Sequence, residues 1–201
     1  MAFNLDQFRS RLADGGARPS LFEMELRWPQ TVTSGVDAAK ASRFMVKMAE
    51  LPPSTVGHIE VGYFGRKLNV VGARSFTNLT VTVINDEDFI IRRALEEWMD
   101  RMSGVSSAVS QYRGGSADGG YTTTLSVAQF GRQGPSNRLR GYEFVGAFPI
   151  AVAAVPLSWD DADSIESYTC EFQYQWWEVA GEIPTRDAPL VNVDTNVTVA
   201  G

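Results

Sequence analysis

The chain reads as mainly β: an antiparallel β-sandwich or partial barrel with one flanking α-helix. Three observations carry that reading. First, the stretch Asp163 to Val179 sets Tyr168, Cys170, Phe172, Tyr174 and Trp176 against Ser167, Thr169, Glu171, Gln173 and Gln175, which is the period of a half-buried strand. At about 3.3 Å per residue it would reach roughly 55 Å, well over twice a usual strand, and so would serve as a wall. Second, several shorter runs alternate in the same way between turn residues. Third, only Asp86 to Met102 carries a long helical stripe.

Taken in order, Asn4 to Ala13 makes a short amphipathic helix with Leu5, Phe8 and Leu12 on one side, ended by Gly15 and Gly16. Residues 1–18 are therefore an N-terminal arm. Leu21 to Trp28 alternates Phe22, Met24, Leu26 and Trp28 against Glu23, Glu25 and Arg27, a first strand stopped by Pro29. In Val36 to Glu50, Ala38, Ala39, Lys40 and Ala41 favour helix, whereas Phe44, Val46 and Met48 alternate; a strand is expected from about Arg43. Leu51, Pro52, Pro53, Ser54 and Thr55 continue neither element, and a loop runs on to His58. Ile59 to Phe64 and Lys67 to Val71 then flank Gly65 and Arg66 as a hairpin, and Asn78 to Ile84 alternates again.

The helix Asp86 to Met102 has Asn85 as its expected cap and Asp86, Glu87 and Asp88 at the positive end of its dipole. Ile91, Leu95, Trp98 and Met102 form a core face against a sheet. The other face would pair Asp88 with Arg92 and Glu97 with Arg101. Ser103 to Gly120 is Ser- and Gly-rich loop. Tyr121 to Phe130, Leu139 to Ala147 and Val152 to Trp159 read as strands, and Asp160, Asp161, Ala162 and Asp163 as the turn before the long run. Residues 1–180 form one domain, and 181–201 an extended tail able to add as a strand.

Composition narrows the function. The chain has 201 residues, 44% of them hydrophobic, enough for a real core, and a net charge of -6, which lacks the basic footprint of specific nucleic-acid binding. Cys170 is the only cysteine, so a disulfide framework is excluded and folding in a cytoplasm is favoured. No stretch reads as a signal peptide, and the longest apolar run, Phe148 to Leu157, is interrupted by two prolines; no membrane span is expected.

Residues for catalysis are scarce. His58 is the only histidine and stands in a Pro- and Gly-rich loop, which favours a surface role. Asp160, Asp161, Asp163 and Glu166 do not match a calcium loop and sit where a turn is required. Arg132, Arg138 and Arg140 make the only basic concentration, more in keeping with a solvated hairpin or a subunit contact than with a nucleic-acid patch. The sequence thus offers no catalytic, cofactor-binding or metal residue, and no cofactor. Trp159, Trp176, Trp177, Tyr168 and Tyr174 suit core or interface better than a ligand pocket.

A set of blocks in order carries a resemblance: Ala17-Arg18-Pro19-Ser20-Leu21-Phe22; Leu51-Pro52-Pro53; Val61 to Gly72; Leu79 to Glu87 with the helix after it; Leu157-Ser158-Trp159-Asp160; and Tyr174-Gln175-Trp176-Trp177-Glu178. Over Ala17 to Glu178 the chain resembles the tail tube proteins of contractile-tailed, T4-like bacteriophages. Segments near Val32 to Ala41 and after Gly181 depart from the family's pattern. The resemblance implies a structural virion subunit, assembled in the host cytoplasm. Its six-membered rings would stack into a tube whose channel conducts double-stranded genome DNA without binding it specifically. It also implies contact with a tail sheath protein and with baseplate and terminator proteins. A tube-like baseplate or secretion-needle ring protein is the rival within the class, and a ligand-binding β-sandwich the rival outside it.

Two sets of positions follow as expectations. Pro52, Pro53, Ser54, Thr55, Val56, Gly57 and His58 form a stiff projection suited to a ring-to-ring contact. Thr169, Glu171, Gln173 and Gln175, opposite the aromatic side, are placed on the lumen wall, where hydroxyls and amides stay hydrated and Glu171 repels phosphate. An outward-facing strand stays open, because alternation fixes the two faces but not the way a ring closes.

Overall fold

The computed structural model describes residues 5–12, 15–104, 120–160 and 163–180. Their elements are α1 (Leu5–Arg11), β1 (Phe22–Glu25), α2 (Gly35–Met45), β2 (Val46–Ala49), β3 (Thr55–Tyr63), β4 (Arg66–Ser75), β5 (Leu79–Ile84), α3 (Ile90–Met102), β6 (Thr123–Gly131), β7 (Gly134–Val152), β8 (Ser167–Gln173) and β9 (Trp176–Val179). The tail 181–201, most of the Ser/Gly-rich loop and Asp161 lie outside the described residues.

One antiparallel sheet runs β1-β6-β7-β8-β5-β2, with β9 also paired to β7. Alternation builds its core face. Leu79, Val81 and Val83 of β5 pair with Phe172, Cys170 and Tyr168 of β8, and all six are buried. The end strands β1 and β2 are joined by side chains of α2 rather than by a ladder. Ser42 Oγ accepts from the Leu26 N–H at 3.1 Å, and Arg43 reaches Glu23 at 3.4 Å and Glu25 at 3.2 Å. The sheet is therefore a partial barrel.

Helix α3 lies over the buried face. Ile91, Leu95 and Trp98 are buried, while Met102 is partly covered. The Trp98 ring stands 5.4 Å from that of Trp28 and 6.4 Å from that of Phe172, and its indole N–H donates to the Tyr121 carbonyl at 2.7 Å. The helix starts later than its acidic run suggests, at Ile90. Asp86 Oδ1 accepts from the Ile90 N–H at 3.0 Å and takes the capping role, while Asn85 donates to Glu166 at 2.9 Å across the strand ends. Arg92 pairs with Glu96, not with Asp88, and its guanidinium lies over the Tyr168 ring.

Several expected boundaries shift. The Ala-rich stretch wins locally: α2 runs to Met45 and the strand begins only at Val46, because Ala38 and Ser42 face the core while Phe44 and Met48 point outward. Thr55 to His58 belong to β3 rather than to a loop, since they pair with the far end of β4. The hairpin turns on Phe64 (φ 44°) and Gly65 (φ 76°), two consecutive left-handed residues that give the twist a two-residue turn needs. Val152 to Trp159 is not a strand; β7 absorbs Val152 and ends there.

The longest wall is β7, nineteen residues and roughly 60 Å, and not the final run. Pro149 within it pairs with Phe172, and the register shifts just after it, between Pro149 and Ala151. The final run breaks at Gln175, whose N–H bonds to the Val145 carbonyl at 3.0 Å beside Gly146 (φ 68°). Its halves, β8 and β9, follow each other along β7 with the alternation reset. Trp176, expected in the buried row, is consequently exposed, and Trp177 turns toward the core opposite Phe144.

Candidate assembly surfaces

The hairpin β3–β4 is the largest unpartnered feature among the described residues. No strand of the main sheet pairs with it, and nearly every residue of it is exposed. Register sorts its faces: Ile59 pairs with Val70 and Val61 with Leu68, which places four aliphatic side chains on one face with Tyr63. The opposite face carries Glu60, ion-paired to Lys67 at 2.9 Å, and Asn69. A lone two-stranded ribbon is marginal in water, and one about 30 Å long with an apolar face calls for a protein surface to lie on. Its root is held. The Trp177 indole N–H donates to the Pro53 carbonyl at 3.3 Å, and Phe76, just past β4, packs its ring 5.9 Å from that of Tyr174. Pro52, Pro53 and Ser54 are this root, whereas Thr55, Val56, Gly57 and His58 start the projecting strand.

The second surface is the open face of the sheet. Thr169 and Glu171 of β8 stand opposite Thr82 and Thr80 of β5, and Gln173 opposite Phe148 of β7. Further along, Glu25, Ser126, Glu143 and Glu178 share one register row across β1, β6, β7 and β9. The face thus mixes hydroxyls, amides and carboxylates with Phe130, Phe148 and the exposed Trp176, and its cations stand at the β1 edge, where Arg27 and Arg43 hold Glu25, and at Arg138, which lines one hollow with Glu25 and Glu143. Gln175 sits in the bend after β8, its Cγ packed over Gly146, and not in the row with Gln173.

A third arrangement was not read from the sequence. The Glu97 carboxylate, on α3, accepts from the Ser34 hydroxyl at 2.7 Å and N–H at 3.3 Å, and from the Thr33 N–H at 3.0 Å and hydroxyl at 2.9 Å. These bonds, led by the Ser34 hydroxyl and then the Thr33 N–H, lower its pKa to about 2. Glu97 thereby supplies the anion at the start of α2 that Ser34 does not supply from its own side chain. Thr33-Ser34 ahead of an Ala-rich run is an N-terminal helix signature and could have revealed α2.

Groups with chemical potential are placed unpromisingly. Cys170 is fully buried, and burial pushes its thiol up to about 12. Burial likewise raises the Tyr174 hydroxyl. His58 is exposed on β3. Among the described residues no three His, Cys, Asp or Glu side chains stand together as a metal site, and no described helix is long and apolar enough to cross a membrane.

Comparison with known proteins adds a family to this geometry. Residues 17–180 match the family described as phage tail tube protein. The tail tube protein gp19 of Enterobacteria phage T4 is 28% identical over 162 residues, 81% of this chain and 91% of that protein, and gp19 of Enterobacteria phage T6 matches to the same extent. Among solved structures, the tube-terminating cap of the anti-feeding prophage gives a TM-score of 0.57 at 13% identity, over 82% of this chain and 90% of that one. A chain of the extended sheath-tube complex of the PVC extracellular contractile injection system gives 0.55 at 10% identity, over 89% and 98%. At those identities the two structures show a common fold.

Proposed function

The chain belongs to the phage tail tube protein family, and on that premise we propose that six copies join in a ring and that the rings stack into a tube conducting double-stranded DNA. The observation that carries this is the hairpin β3–β4: an amphipathic ribbon with nothing among the described residues to cover Ile59, Val61, Leu68 and Val70. A neighbouring copy covers it in the assembled tube, at the ring-to-ring contact, with the root Pro52 to Ser54 setting its direction and the exposed arm α1 assisting. Sheet edges left short at β1 and β2 are hidden in the same assembly.

The open face lines the channel in this reading. Thr169, Glu171 and Gln173 share the face with the carboxylate row of Glu143 and Glu178, which repels phosphate. The subunit's role is structural: its only thiol is buried and protonated, and its only imidazole stands on the projecting ribbon. Partners are other copies, a contractile sheath, and baseplate and terminator proteins; the place of action is the virion, after assembly in the host cytoplasm.

Negative-stain microscopy of the purified chain tests this. Rings or stacked tubes are expected at high concentration. Changing Ile59, Val61, Leu68 and Val70 together to Thr should leave the monomer's far-UV spectrum and melt unchanged, since exposed sites shift stability by only about ±0.5 kcal/mol each, while stacking is lost. A chain that stays monomeric at every concentration overturns the reading.

A further inference from the structure

Among the described residues β3 and β4 pair only with each other. Each therefore keeps a row of unpaired backbone N–H and C=O groups along its outer edge, a template for one more strand. Three strands with an apolar face are stable where two are marginal. The open edges of the main sheet, at β1, β2 and β9, are only four residues long each and cannot template a long strand.

The chain itself supplies a strand of the right kind. The Ala180 N–H donates to the Gly141 carbonyl at 2.9 Å, and Trp177, three residues earlier, is bonded to Pro53 at the ribbon's root. Residues 181–201, which follow, lie outside the described residues and past the match to the tail tube family. In sequence they carry a linker, Gly181 to Pro189, that spans up to roughly 30 Å, and then a run of ten residues, Leu190 to Val199. That run sets Val191, Val193, Thr195, Val197 and Val199, all β-branched, against Asn192, Asp194, Asn196 and Thr198, the pattern of a strand with one apolar face. Charge is complementary as well. β4 carries Arg66, Lys67 and Arg74 and no carboxylate, whereas the tail carries Glu182, Asp187 and Asp194 against Arg186 alone.

We infer that Leu190 to Val199 adds to the outer edge of β4 in its own chain, as the third strand of the ribbon. Direction selects the edge. A tail leaving the root runs outward, antiparallel to the returning strand β4 and parallel to β3, and the antiparallel ladder is the more stable. Length fits, since β4 also has ten residues. With the tail's valines continuing the face of Leu68 and Val70, parity puts Asp194 on the face of Lys67 and Asn69. The tail takes the edge, and the apolar face, now wider, stays open to a neighbouring copy.

Hydrogen exchange read amide by amide tests it, on the full chain at a dilution where it is monomeric. Every second N–H of an edge strand points away from its partner. These outward amides should exchange about tenfold or more slowly on β4 than on β3, whose edge stays uncovered. In a chain ending at Ala180 the two sets should exchange alike. Val193→Pro with Asn196→Pro should act in the same way without moving the melt, because at that spacing one of the two removes a donor facing β4 in any register. That variant gives the reading should the shortened chain fold poorly. Outward β4 amides that exchange as fast as those of β3, or that ignore both changes, overturn the inference and leave the stacking reading untouched. Slow exchange that fades on further dilution assigns the added strand to another copy's tail and overturns it too.

Discussion

Ser34 donates its hydroxyl to the Glu97 carboxylate at 2.7 Å, across 63 residues of sequence. The bond ties the start of α2 to the middle of α3, and it makes stability depend on pH. With the Glu97 pKa lowered from 4.5 to about 2, the ionised form is favoured in the folded chain. The contribution is therefore complete above about pH 4.5 and is lost as pH falls toward 2. Glu97→Ala should cost about 2 kcal/mol at neutral pH, and Glu97→Gln should flatten the pH dependence of the melt across that window. Parallel curves for parent and Gln variant would show that the carboxylate does not hold α2.

Trp98 fills the space between α3, Trp28 and Phe172 and satisfies the Tyr121 carbonyl. Trp98→Ala should cost about 3 to 5 kcal/mol, while Trp98→Phe, which keeps most of the volume and loses the hydrogen bond, should cost less. A thermal melt of the Ala variant matching the parent would place this ring outside the core.

Cys170 is a clock for unfolding. Buried and held protonated to about pH 12, it should not react with a thiol reagent in native buffer, and its labelling in denaturant should follow the loss of far-UV signal. Rapid labelling of the native chain would mean that β8 opens locally.

Gly146 holds the phase change between β8 and β9. At φ 68°, with Gln175 Cγ 2.8 Å from where a Cβ would stand, Gly146→Ala should cost about 1 to 2 kcal/mol in backbone strain. The change should also release Trp177 from Pro53, read as a shift in tryptophan emission. An unchanged melt and spectrum would show that the bend does not depend on glycine.

The open face makes a functional prediction. If the face lines the channel of a six-membered ring, as proposed, Thr169→Lys with Gln173→Lys should leave assembly intact while adding on the order of a dozen cations per ring, enough to make DNA release strongly dependent on salt. Normal genome ejection at low salt, with sheath contraction impaired instead, would turn this face outward.

Much of this was written in local pattern. Period-two alternation gave β5, β8 and the buried row of Leu79, Val81, Val83, Tyr168, Cys170 and Phe172, since a side chain's face on a strand depends only on its parity. The period of α3 likewise gave Ile91, Leu95 and Trp98. The family resemblance rests on blocks of residues that survive in order, and it too needs no coordinates.

What only the tertiary structure decided lies where a long-range partner overrules local preference. Arg43 to Met45 stayed in the helix because the core receives Ala38 and Ser42 rather than Phe44, with Glu97, far away in sequence, holding the start of α2. The final run was split by the shape of β7, whose bend at Gly146 takes up Gln175 and sends Trp176 outward. The β3–β4 ribbon was legible as a hairpin, but not as one without cover, because alternation says which residues share a face and never what lies against it.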